Sequence, residues 1–204
     1  MNRRIMKSFI LAVLLILASA SIAAQTTESF VKELQSTFRG YKTLQTSFIQ
    51  SGNIMTGSAG KLYYKKDKKI RIELPNITII SDGVSVWNIN KKENKVIISK
   101  FTGKEASLLS LPDLIEKYPA ISKFTLEKTD KGYSLTLVPN EKNPSIKSAK
   151  LTCDANKSLT GIQIQNASGS SMDVRLSQTK INKEISDVLF SYTPKESVKV
   201  VDLR

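Results

Sequence analysis

Apolar and polar side chains alternate with a period of two along most of the chain. In 68–74, Ile70, Ile72 and Leu74 take one side and Lys69, Arg71 and Glu73 the other. In 60–66, Leu62 and Tyr64 share a parity with Lys66, opposite Lys61, Tyr63 and Lys65. Tyr133, Leu135 and Leu137 alternate with Ser134, Thr136 and Val138, and Ile162 and Ile164 with Gly161, Gln163 and Gln165. Short strands are predicted at 44–51, 60–66, 68–74, 77–81, 84–90, 95–101, 122–128, 133–138, 145–153, 159–165, 171–180 and 188–192. Turn formers separate them, among them Ser51-Gly52-Asn53, Pro75-Asn76, Asp82-Gly83 and Ser168-Gly169-Ser170.

Two stretches break the alternation. Thr26 to Thr43 sets Phe30, Val31, Leu34, Phe38 and Tyr41 at helical spacing, with Thr26 or Thr27 to cap the start and Gly40 to stop it. Lys104 to Tyr118 carries Leu108, Leu109, Leu111, Leu114 and Ile115; Pro112 suits the first turn of a second short helix and Pro119 its end. The fold class that follows is mainly β: a single antiparallel sheet curled into a barrel or half-barrel, apolar on one face and wet on the other. Only two helical stretches are available to cover the apolar face. A sheet of this kind either fills its interior with side chains or keeps a hydrophobic cavity, and the alternation permits both.

Composition narrows the chemistry. The chain has no His and one Cys, which removes the commonest general base, Cys–His dyads and any internal disulfide framework. No glycine-rich phosphate loop or acidic metal cluster is found, so neither catalysis nor a metal or cofactor is expected. Cys153 sits in a strand pattern behind Leu151 and reads as a buried, inert thiol.

The first residues read as an export signal. Arg3, Arg4 and Lys7 precede an apolar run from Phe9 to Leu17 and small residues from Ala18 to Ala24. The run is too short to span a bilayer. Residues 1–24 are therefore expected to be cleaved, leaving 25–204 as one domain. Their loss takes three positive charges, so a formal net charge of +13 becomes +10. Nucleic acid is the reflex partner of a basic chain, but an exported protein rarely meets it, and no basic–aromatic platform for stacking bases is present. The densest basic cluster is Lys65, Lys66, Lys68, Lys69 and Arg71.

Four segments together resemble the outer-membrane lipoprotein carrier family, the periplasmic chaperones of the LolA type. They are Phe48-Ile49-Gln50, Gly60 to Lys66, Ile80-Ser81-Asp82-Gly83 with Val86-Trp87, and the ending Phe190 to Pro194 followed by Val198, Val200 and Asp202. The resemblance implies an unclosed barrel with a helical lid over a hydrophobic cavity. It implies a soluble periplasmic monomer that takes acylated lipoproteins from an inner-membrane ABC transporter to an outer-membrane lipoprotein receptor. The family's receptor is itself lipidated, and the absence of a Cys after the signal favours the carrier. The acyl-chain cavity is then expected from Phe48, Leu62, Tyr64, Ile70, Ile72 and Ile79, with Leu108, Leu109, Leu111 and Leu114 on the lid. The family's lid-holding Arg-Pro is here Lys66-Asp67, so Lys66 is either a lid contact or a solvated strand-end lysine. Two alternatives stay open: a carrier of free lipid or glycolipid, and a non-carrier module that senses lipoproteins or binds a protein on the same fold.

Overall fold

The computed structural model describes residues 27–53, 57–102, 111–141 and 146–204. The expected export signal, residues 1–24, and the expected lid residues Leu108 and Leu109 lie outside the described residues. Helix α1 covers 27–39 and stops where Gly40 donates its N–H to the Ser36 and Thr37 carbonyls. Six strands follow: β1 (Thr43–Gly52), β2 (Ser58–Lys65), β3 (Lys69–Glu73), β4 (Ile77–Asp82), β5 (Ser85–Asn90) and β6 (Lys95–Lys100). Two short helices come next, α2 (Leu111–Glu116) and α3 (Tyr118–Ile121). The second half is β7 (Ser122–Thr129), β8 (Gly132–Pro139), β9 (Ile146–Cys153), β10 (Leu159–Asn166), β11 (Ser171–Ile181) and β12 (Lys199–Asp202).

All twelve strands form one sheet in the order β12-β6-β5-β4-β3-β2-β1-β11-β10-β9-β8-β7. Each half is a meander, and the antiparallel β1–β11 ladder joins the two. Only β12, running beside β6, is parallel to its neighbour. β7 and β12 end the sheet without meeting, so the expected open, mainly β architecture is what forms.

The sheet's inner face carries the main core. Leu62 faces Ile72 across β2–β3, and Tyr64 faces Ile70. From the second half come Leu135, Leu137, Leu151, Ile162 and Val174. Helix α1 lays Phe30, Val31, Leu34 and Phe38 on this surface, and α2 adds Leu111, Leu114 and Ile115. Tight turns keep successive strands adjacent: Asp82 Oδ1 accepts the backbone N–H groups of Val84 and Ser85 at 2.8 and 2.7 Å, closing the β4–β5 hairpin.

Three expectations need correction. Pro119 does not end a helix; it occupies the first turn of α3, where its missing N–H costs nothing. The strand expected at 188–192 is a 3₁₀ turn, Asp187–Phe190, and the twelfth strand lies further on, at Lys199–Asp202. The outer face, expected to be wet, is partly apolar. Ile80 lies opposite Arg71 and Trp87, on the parity away from the core, yet Ile80 and Val96 are fully buried and Ile98 nearly so. The segment between β11 and β12 crosses this side, its 3₁₀ turn against β3 and β4, with Ile185 and Phe190 buried. Apolar residues on both parities, Ile79-Ile80 and Val96-Ile97-Ile98, carry the signal, because a strand covered on both faces loses its alternation.

Candidate functional site: the inner face and its helical cover

The strand registers place Phe48, Leu62, Tyr64, Ile70, Ile72 and Ile79 on one face. Phe48 pairs with Gly60, Leu62 with Ile72, Ile72 with Ile79, and Tyr64 with both Leu44 and Ile70. All but the half-buried Ile79 are buried. Leu111 and Leu114 project from α2 into the same apolar cluster. Eight of the ten residues expected to line the cavity thus converge, and the other two are Leu108 and Leu109, already placed outside the described residues. Helix α1 completes the cover with Phe38, whose ring centroid is 5.3 Å from that of Tyr64. Its periodicity marked α1 as amphipathic, but nothing in the sequence showed that its apolar stripe would settle on β2. Burial raises the Tyr64 phenol above its ordinary pKa, with smaller contributions from Asp67 and Glu116.

Polar ties fasten the helical cover among the described residues. Gln35 on α1 donates from Nε2 to the Ile115 and Glu116 carbonyls at 3.1 and 3.3 Å, satisfying carbonyls that the end of α2 leaves free. Arg39 Nη1 lies 3.0 Å from Glu116 Oε2, so α1 and α2 are joined as a unit. The nearly buried Asp113 pairs with Lys117, one helical turn on, at 3.2 Å, and with Lys68 of the β2–β3 turn at 4.0 Å, which links α2 to the sheet. The Lys68 ammonium also stands 5.5 Å from the centroid of Phe101. Midway along α1, Glu33 pairs with Lys157 in the β9–β10 connection.

Lys66 is exposed in the β2–β3 turn. Its backbone N–H donates to the Lys42 carbonyl at 2.9 Å, and its side chain has no partner among the described residues. The cation that reaches the cover is Lys68. Strand parity carries no information at this point, because β2 ends at Lys65 and Asp67 and Lys68 both adopt positive φ, 70° and 63°. The rest of the basic cluster works on the outer face. Lys65 and Lys69 grip opposite oxygens of Asp187 at 3.0 and 2.9 Å. Arg71 bonds Glu73 at 2.7 Å and the Leu189 carbonyl at 3.2 Å. Hydrogen bonds from Lys69 and then Lys65 hold the Asp187 carboxyl below its ordinary value.

Comparison with known proteins agrees with this geometry. The family model described as outer membrane lipoprotein carrier protein LolA matches residues 39–193. An outer-membrane lipoprotein carrier protein of Coxiella burnetii (strain RSA 331 / Henzerling II) is 26% identical over 205 residues, covering 94% of this chain and 95% of that protein. Its counterpart from strain CbuK_Q154 is 25% identical over the same span. Among solved structures, an uncharacterized conserved protein from Thermus thermophilus shares the fold at a TM-score of 0.54. It is 14% identical, and the match covers 88% of this chain and 99% of that one.

Proposed function

The chain belongs to the outer membrane lipoprotein carrier protein LolA family, and on that premise we propose that it shelters the acyl chains of lipoproteins on its inner face while they cross the periplasm. The inner-membrane donor is an ABC transporter and the acceptor an outer-membrane lipoprotein receptor. The observation that carries the reading is the convergence of Phe48, Leu62, Tyr64, Ile70 and Ile72 in one apolar cluster beneath α1 and α2.

The energetics suit a carrier. Burying an acyl chain is worth about 0.8 kcal/mol per CH₂. Three chains fully buried in an open, dry pocket would exceed the practical ceiling of non-covalent affinity. Here the inner face is buried against α1 and α2. A chain that enters displaces one apolar surface with another, and the helices' lost packing is subtracted from the gain. Release follows from that competition. Aliphatic walls at Ile70 and Ile72 give contact without directional bonds, so the length and number of chains need not match a fixed shape.

The test is to isolate the protein from periplasm under mild conditions and identify what accompanies it by mass spectrometry. Acylated lipoproteins are expected, and Ile72→Glu should abolish their retention while leaving export intact. Retention by the soluble Ile72→Glu protein would count against the inner face as the site. Free phospholipid or glycolipid in place of lipoprotein would reassign the cargo, and a protein empty throughout would favour a non-carrier role.

A further inference from the structure

Five lysines gather at one corner of the sheet. The β5–β6 turn carries Lys91 and Lys92, and β6 begins at Lys95; the turn before β12 carries Lys195, and β12 begins at Lys199. The two turns are fastened together: Asn94 donates from Nδ2 to the Ser197 carbonyl at 2.6 Å, and the Lys199 N–H donates to the Asn94 carbonyl at 3.0 Å. Lys95 and Lys199 are direct partners in the β6–β12 ladder, so two ammonium groups leave adjacent strands on the same side. Like charges in that position destabilise a sheet.

Around the β2–β3 turn, lysines have carboxylate partners: Lys65 and Lys69 on Asp187 and Lys68 on Asp113. Among the described residues none of the five corner lysines has an ion pair, and Lys91 reaches only the Leu74 carbonyl at 3.5 Å. The corner's own acids are Glu93 and Glu196. The same corner exposes an open strand. β12 is outermost, and the Lys199 and Leu203 N–H groups bond inward to β6, which turns the backbone groups of Val200 and Asp202 outward. Val200 is 46% exposed.

We propose that this corner docks an acidic, extended segment of a partner protein, which adds as a strand to the outer edge of β12 and sets its carboxylates among Lys91, Lys92, Lys95, Lys195 and Lys199. Strand addition supplies backbone hydrogen bonds, and the incoming charge relieves the Lys95–Lys199 repulsion. A plane of lipid headgroups would meet the lysines but offer nothing to the strand edge. None of these residues belongs to the inner-face cluster, so docking and acyl-chain capture fail independently.

The test titrates ¹⁵N-labelled protein with the capped peptide Glu-Val-Glu-Val-Glu-Val-Glu and, separately, with vesicles of phosphatidylglycerol. The peptide should shift the Val200 and Asp202 amides and those of both turns, and higher salt should weaken it. Lys95→Ser with Lys199→Ser should reduce peptide affinity about tenfold, equivalent to ~1.4 kcal/mol. Lys91→Ser with Lys92→Ser, confined to an exposed turn, should act in the same direction. Equal binding by both double variants would overturn the proposal, as would peptide-induced shifts lying away from β12. Vesicles that perturb the corner where the peptide does not would assign it to a membrane surface instead.

Discussion

Gly60 stands directly across the β1–β2 ladder from Phe48, and the Phe48 ring occupies the space where a Cβ of residue 60 would go. The Glu73 carbonyl oxygen is 2.5 Å from the same position. Space rather than backbone torsion therefore demands glycine here. Gly60→Ala should push β2 off Phe48 and cost about 1–3 kcal/mol, read as a lowered urea midpoint. Phe48→Leu in the Gly60→Ala background should recover part of the loss. An alanine variant as stable as the parent would mean that the ring is not fixed at this position.

The Asp113 carboxylate is shared between Lys68 and Lys117. Either lysine alone keeps it paired, so Lys68→Ala and Lys117→Ala should each cost less than about 1 kcal/mol. Together they strand a nearly buried charge and should cost more than their sum. A double-mutant cycle by chemical denaturation measures this, and amide exchange in α2 should accelerate most in the double variant. Strict additivity would show that Asp113 does not depend on this pair.

Much of this was legible in the sequence, and the parts that were not share a cause. Period-two alternation located the strands and put Leu62, Tyr64, Ile70 and Ile72 on the face they share, because a strand's side-chain direction is set by backbone geometry alone. Alternation loses its meaning where that geometry stops. Lys66 follows the last residue of β2, and a turn with two positive-φ residues passed the cover contact to Lys68. The outer covering is illegible for another reason: Asp187 and Phe190 act through strands more than a hundred residues earlier, and pairing at that range leaves no local pattern. The run Val96-Ile97-Ile98 was the available hint.

The segment across the outer face should be acid-sensitive. In the folded chain, Lys69 and Lys65 hold Asp187 below its ordinary carboxyl value of 3.8. An aspartate with a lowered native value adds stability that is complete above the unfolded value and disappears as pH falls through the native one. The covering segment should thus be fully held at neutral pH and loosen below 3.8. Trp87, the only tryptophan, lies half-buried on the same outer parity as Ile80 and reports it by fluorescence. Asp187→Asn should show the acid-type signal already at neutral pH, and a variant that titrates like the parent would remove Asp187 from this role.

Cys153 offers a probe of global opening. Burial pushes its thiol up to about 12, so at neutral pH it carries almost no thiolate. Labelling by a thiol reagent at pH 8 should be slow and should accelerate in step with denaturant unfolding. The raised value also fixes a sign: stability is intact below the ordinary 9.0 and declines as pH climbs toward about 12. Rapid labelling of the native protein would contradict the closed packing around β9.

The β1–β11 ladder has a consequence for how the chain is made. β1 meets β2 within a few residues, but its other neighbour arrives more than a hundred residues later. A polypeptide emerging N-terminus first completes the β1–β6 meander while β11 does not yet exist. Through that interval a ten-residue strand presents an unsatisfied edge, the longest in its half of the sheet. The half-built molecule, rather than the unfolded one, is then the species most exposed to wrong pairing, and the slow step of its biogenesis is the closing of one long loop.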